Sequence, residues 1–121
     1  MREMIAQKDQ KLLSQLTDEI LETTPIISDY YSRDIIHKAV SRCYEICKQN
    51  NIIETRSIGI LTIYSLACGK MIDILDPERK IPSILESEMT EMEKLYYIQE
   101  RVNLLEQQGV IQNKFEEPHN D

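Results

Sequence analysis

The stretch that most constrains this chain is Thr55 to Leu75, TRSIGILTIYSLACGKMIDIL, whose apolar residues fall on nearly every side of a helical projection. A helix that is apolar all round is either buried by its neighbours or crosses a membrane. Lys70 and Asp73, with Thr62 and Ser65, interrupt the run before it reaches the roughly 20 clean residues that a bilayer core demands. The segment is therefore expected to be a central helix, about residues 55–75, wrapped by the rest of the chain.

What wraps it is also helical. Gly (3) and Pro (4) are scarce in the 121 residues, alternating β-branched runs are absent, and Leu, Ile, Glu, Gln and Lys dominate, which is the composition of helices. A chain of this length buries one core without disulfides or metal. The expected fold is all-α, a compact bundle of four longer helices and one short one in a single domain, residues 1–109, followed by a flexible C-terminal tail, residues 110–121. Cys43, Cys47 and Cys68 make an odd number of thiols on apolar faces, which suits a reducing compartment. The residues after Met1 contain no apolar signal segment, so the expected location is the cytoplasm, without a membrane anchor.

The periodicity places the other helices. The first is expected over about Glu3 to Glu22, with Ile5, Leu12, Leu13, Leu16, Ile20 and Leu21 as an apolar stripe broken by Asp9 and Thr23-Thr24-Pro25 as its stop. The second, from about Asp29 or Ser32 to Gln49, is the cleanest. Ile35, Ile36, Ala39, Val40, Cys43, Ile46 and Cys47 recur at three and four, and Ser28 or Ser32 is available as N-cap. Asn50-Asn51 closes it, Ile52 and Ile53 turn the connection inward, and Thr55 caps the central helix. So short a link implies an antiparallel hairpin of the second and central helices. Asp76-Pro77 breaks the chain, and Pro82 opens a short helix that buries Ile81, Ile84 and Leu85. Thr90-Glu91-Met92-Glu93 is a capping box for the last helix, which carries Leu95, Ile98, Val102 and Leu105 and stops near Gly109.

Groups that could carry chemistry are few. Cys43 and Cys47 are one turn apart, but both lie on the buried stripe, and a zinc site ordinarily needs a second ligand pair elsewhere. A metal or redox protein using Cys43 and Cys47 is the third functional alternative, and it requires thiols that react readily. His37 lies among surface charges and His119 in the expected tail, so no imidazole is positioned for acid–base work. Gly59, Gly69 and Gly109 are isolated, with no phosphate-binding spacing. Gly59 and Gly69 each cost the central helix about 1 kcal/mol relative to Ala, which a close approach by a neighbouring helix would offset. The chain is expected to have no catalytic residues, no cofactor and no metal.

Surface composition is more informative. Lys and Arg number 14 against 21 Asp and Glu, a net charge of −7, which argues against nucleic acid as a partner. From Asp76 onward five basic residues face eleven acidic ones, so a basic partner surface would be attracted there. The six Tyr, with one Phe and no Trp, include two adjacent pairs, Tyr30-Tyr31 and Tyr96-Tyr97. Neighbouring rings cannot both enter one core, so at least one ring of each pair is expected at the surface. Tyr brings large, rather rigid contact area with a polar tip, which makes Tyr30, Tyr31, Tyr96 and Tyr97 the candidate partner-binding residues. Rings lying across helix ends as a lid are the alternative.

From Tyr30 to Leu105 the chain shows a polar turn leading to Glu54-Thr55-Arg56-Ser57-Ile58, and a glycine step at Leu66-Ala67-Cys68-Gly69. The Asp76-Pro77 break and the short Ile81-Pro82-Ser83-Ile84-Leu85 helix follow. This succession resembles small helical proteins encoded in bacterial type VI secretion effector and adaptor gene clusters. The resemblance implies a non-catalytic protein, an accessory or chaperone-like partner of a secreted effector or its adaptor. An immunity protein that neutralises a cognate toxin is the alternative. The expected partner is thus an effector, adaptor or toxin protein, and the residues leave a homo-oligomer open.

Overall fold

The computed structural model describes residues 7–116. Among them five α-helices and two short 3-10 segments occur and no strand. The leucine stripe near the N-terminus becomes α1 (Gln7–Thr23), burying Leu13, Leu16 and Ile20. Leu12 and Leu21, also expected in that stripe, are half-buried, and the expected start at Glu3 and Ile5 of the stripe lie outside the described residues. Pro25 stops the helix as expected, and a 3-10 turn, Pro25–Asp29, follows it. That turn presses Ile27 into the core at 0% exposure. Burial of such a side chain contributes about 1.5–3 kcal/mol over leaving it in water.

Helix α2 (Arg33–Gln49) starts at Ser32, whose hydroxyl accepts from the Ile35 N–H at 3.3 Å. Ile36, Ala39, Val40, Cys43, Ile46 and Cys47 all face inward, whereas Ile35 is exposed. Asn51 takes a left-handed conformation at φ 60, and Ile52 is buried. Ile53, expected to turn inward with it, is 82% exposed. In extended backbone successive side chains point to opposite sides, so one of the two had to leave the core.

Helix α3 (Thr55–Cys68) is the central element, packed on both α2 and α1. Cys43 of α2 lies 3.8 Å from Ser65, and the Tyr31 hydroxyl just before α2 reaches the Leu66 carbonyl near the end of α3. The start of one helix beside the end of the other makes the expected antiparallel hairpin. Thr62 and Ser65, polar in an apolar interior, return their hydroxyls to the Ile58 and Leu61 carbonyls one turn back. Gly59 lies against α1, where an added methyl would sit 3.7 Å from Leu16.

The helix does not reach Leu75. Gly69 adopts the left-handed conformation, φ 73, and ends α3 there. An isolated glycine is read equally well as a helix-packing position or as a C-terminal cap, and at residue 69 the cap wins. The apolar run continues as turns, with Ile72 and Leu75 buried. Ser65 Oγ accepts from the Ile72 N–H at 2.9 Å and ties that turn to the helix.

The short helix α4 (Lys80–Glu86) buries Ile81 and Leu85 and packs against α5 (Glu91–Gln107). The Thr90 and Glu93 capping box forms as expected, each side chain bonded to the other's backbone N–H. At the far end Gly109 is left-handed, and the Val110 and Gly109 N–H groups bond the Leu105 and Glu106 carbonyls. These two bonds are the paired closure of a glycine-terminated helix.

Residues 110–116 depart from expectation. A 3-10 segment, Lys114–Glu116, packs against α3, and Ile111 and Phe115 rest on the core. The tail expected from residue 110 is thus structured to residue 116, and residues 117–121, with His119, lie outside the described residues.

Candidate protein-interaction surface

Three inward polar side chains hold α5 in place. Glu91, in its first turn, accepts from the backbone N–H groups of Ile53 at 2.8 Å and Glu54 at 3.2 Å, and from the Ser57 hydroxyl at 2.6 Å. It thereby caps α3 from another element, the role expected of Thr55, and a carboxylate is favoured there by the helix dipole. Burial alone would raise the Glu91 pKa, but the bonds from Ser57, Ile53 and Glu54 outweigh it and hold the carboxyl below its ordinary value. One turn on, buried Lys94 donates to the Asn50 carbonyl at 2.7 Å.

Arg101 is 7% exposed and grips Asp76, whose side chain is fully buried, through two bonds of 2.7 and 2.9 Å. The Nη2 that makes the longer of these two bonds also donates to exposed Glu78 at 2.8 Å. The Asp76 oxygens also accept from the Glu78 and Lys80 N–H groups, which fixes the entry to α4. The Arg101 hydrogen bond, against the opposing effect of burial, holds the Asp76 carboxyl below its usual range.

These contacts turn a distinctive face outward. Met92 is 83% exposed and Tyr96 and Tyr97 are 57% and 47% exposed, with Leu104 farther along the same helix. The two tyrosine rings meet edge to face at 5.2 Å. At the same end of the bundle, the Glu91 bond to the 53–54 backbone brings exposed Ile53 beside the start of α5. Both cations of α5, Lys94 and Arg101, are buried, while Glu93 and Glu100 are exposed. The outward face is therefore apolar and acidic. The Tyr96 hydroxyl donates to Glu100 at 3.2 Å, and that carboxylate raises the phenol pKa.

The other tyrosine pair is differently placed. Tyr30 is 44% exposed, but its ring packs on Phe115 at 5.4 Å and its hydroxyl donates to the Lys114 carbonyl at 3.0 Å. Tyr31 is half-buried, donates to the Leu66 carbonyl at 2.7 Å and accepts from Lys114 Nζ at 2.8 Å. The ammonium also lies 5.0 Å from the Tyr31 ring centre. Tyr30 and Tyr31 thus hold the chain's own C-terminal segment, and the structure does not bring them together with Tyr96 and Tyr97 into one surface. Ile53, Met92, Glu93 and Glu100 escaped the sequence reading. Met92 and Glu93 are signalled only by their position ahead of the buried stripe and Glu100 only by falling between its apolar positions, and nothing in the pattern distinguishes Ile53 from Ile52.

Cys43 and Cys47 are both at 0% exposure. Burial raises both thiols, Cys47 to about 12, and Cys68 is raised by burial to about 11. Among the described residues no three His, Cys, Asp or Glu side chains cluster as metal ligands, and no helix is long and apolar enough to cross a membrane. A cleft of about 460 Å³ separates α2 from α4, with Ile46 and Leu85 among its apolar lining. Its charges, Arg42 and Arg79 against Asp73 and Glu86, balance. No protein-family model, no curated protein and no solved structure matches this chain.

Proposed function

We propose that this chain is a non-catalytic protein-interaction module, an accessory or chaperone-like partner of a secreted bacterial effector or its adaptor. The supporting observation is the outward face of α5, where exposed Met92, Tyr96 and Tyr97 stand among carboxylates. Soluble domains seldom leave large apolar side chains grouped unless a partner covers them. Cys43 and Cys47 offer little to the alternative of a metal or redox protein, since raised and inaccessible thiols are poor ligands and nucleophiles.

Affinity capture of the tagged chain from its native host tests the proposal. Recovery of an effector, adaptor or secretion-spike component is the expected result, and recovery of none of these would overturn it. The acidity also suits an immunity protein, and coexpression separates the two. An immunity protein rescues cells from the cognate toxin, whereas an accessory protein changes secretion and leaves toxicity untouched.

A further inference from the structure

From the geometry of α5 we infer that its outward face docks a basic amphipathic helix of the partner, one that carries two cations about seven residues apart around an apolar centre. The inference rests on the interaction-module function above and specifies its partner. Glu93 and Glu100 are separated by seven positions, two turns of helix, or about 10.5 Å at 1.5 Å per residue. Between them stand Tyr96 and Tyr97, with exposed Met92 one position before Glu93. A partner helix lying along α5 would repeat that spacing, with a cation at each end and aliphatic residues three and four positions in.

The charge pattern selects the sign of the occupant. Lys94 and Arg101 are both buried in internal contacts, Lys94 on the Asn50 carbonyl and Arg101 on Asp76 and Glu78. The outward charges left on this part of α5 are carboxylates. Glu93 still accepts from the Thr90 N–H and Glu100 from the Tyr96 hydroxyl. An ionised carboxylate has about four acceptor positions, so each has capacity for an incoming guanidinium or ammonium. Tyrosine faces add to this, because a cation over an aromatic ring is attracted by its quadrupole. A second copy of this chain is a poor occupant, since a two-fold contact through this face would oppose its own carboxylates.

The probe is a labelled helical peptide with Arg at two positions seven apart and Leu at the third and fourth positions after the first Arg. Its fluorescence anisotropy is titrated with the full chain. Binding is expected at low salt and at least about tenfold weaker at 0.3 M salt, because exposed ion pairs are screened. Glu93→Gln with Glu100→Gln should weaken it by about tenfold or more while retaining the capping box, which accepts Gln. Tyr96→Ala should do the same, and circular dichroism should report unchanged helix for both variants.

No binding at low salt would overturn the inference, as would equal affinity for the peptide with Glu in place of Arg, or indifference to these substitutions. Sedimentation showing a dimer broken by Tyr96→Ala would assign the face to a second copy instead and overturn it too. Host partners captured equally well by the Tyr96→Ala and Glu100→Gln variants would leave the module standing and remove this face from it. Peptide binding without any host effector, adaptor or spike component would instead refute the module.

Discussion

Asp76→Ala should be among the most damaging single changes in this chain, and the structure sets the scale. Asp76 is completely buried and meets nearly buried Arg101 through two short hydrogen bonds. Its removal leaves the guanidinium with only exposed Glu78, and the Glu78 and Lys80 N–H groups lose their acceptor. Breaking a buried pair from one side costs about 3–5 kcal/mol, a large share of the roughly 5–15 kcal/mol that holds a domain folded. With a urea slope of about 2 kcal/mol per molar, the midpoint should fall by about 2 M. Arg101→Met should cost less, near the lower end of that range at about 3 kcal/mol, because Asp76 keeps both backbone donors.

The double variant is the decisive measurement. With no charge left buried, Asp76→Ala with Arg101→Met should unfold at a higher urea concentration than Asp76→Ala alone. The signal is far-ultraviolet circular dichroism at neutral pH. If the two single effects simply add, within about 0.5 kcal/mol, the side chains act independently and the reasoning is wrong. Acid gives a second check. Because the folded Asp76 pKa lies below its ordinary 3.8, the stability it contributes is present above that value and is lost as pH falls through the folded pKa. The double variant should lose less stability than the parent over that interval.

Glu91→Ala removes three hydrogen bonds at the start of α3 and should cost about 2–3 kcal/mol in urea unfolding, whereas Glu91→Asp, shorter by one methylene, should recover only part of it. Ellman's reagent should label the native thiols slowly, Cys68 ahead of fully buried Cys43 and Cys47, and all three promptly in urea; prompt native labelling of Cys43 would contradict its burial. Phe115→Ala should cost about 1 kcal/mol and speed amide exchange across residues 110–114, and unchanged exchange there would mean that the Tyr30 contact does not hold the segment.

Much of the fold was legible because its determinants are local. The stripe in α2 and the Thr90–Glu93 box depend on residues three and four apart; the box appears as read, and the stripe does so from Ile36 to Cys47, with only Ile35 turned out of it. Gly69 was harder, since its sequence neighbourhood continues in apolar residues to Leu75 and only the left-handed backbone separates a cap from a packing site. The inward turn of Ile52 and outward turn of Ile53 depend on which side of an extended link meets the core, and the two residues are chemically identical. The Arg101 pairing with Asp76 spans 25 positions and that of Tyr30 with Lys114 spans 84. No helical period relates such positions, so the C-terminal contact could not be foreseen. Of the four candidate tyrosines the sequence marks all equally, and only the tertiary arrangement gives one pair to the chain's own end and leaves the other on α5.

The polar anchors beneath α5 settle its rotation as well as its attachment. An apolar seam of Ile98, Val102 and Leu105 would tolerate a helix that rolls about its axis, but a roll of one residue, about 100°, would pull Lys94 from the Asn50 carbonyl and Arg101 from Asp76. The aromatic side is consequently aimed in advance, and the partner helix proposed above would meet a stationary target whose orientation costs no further loss of freedom.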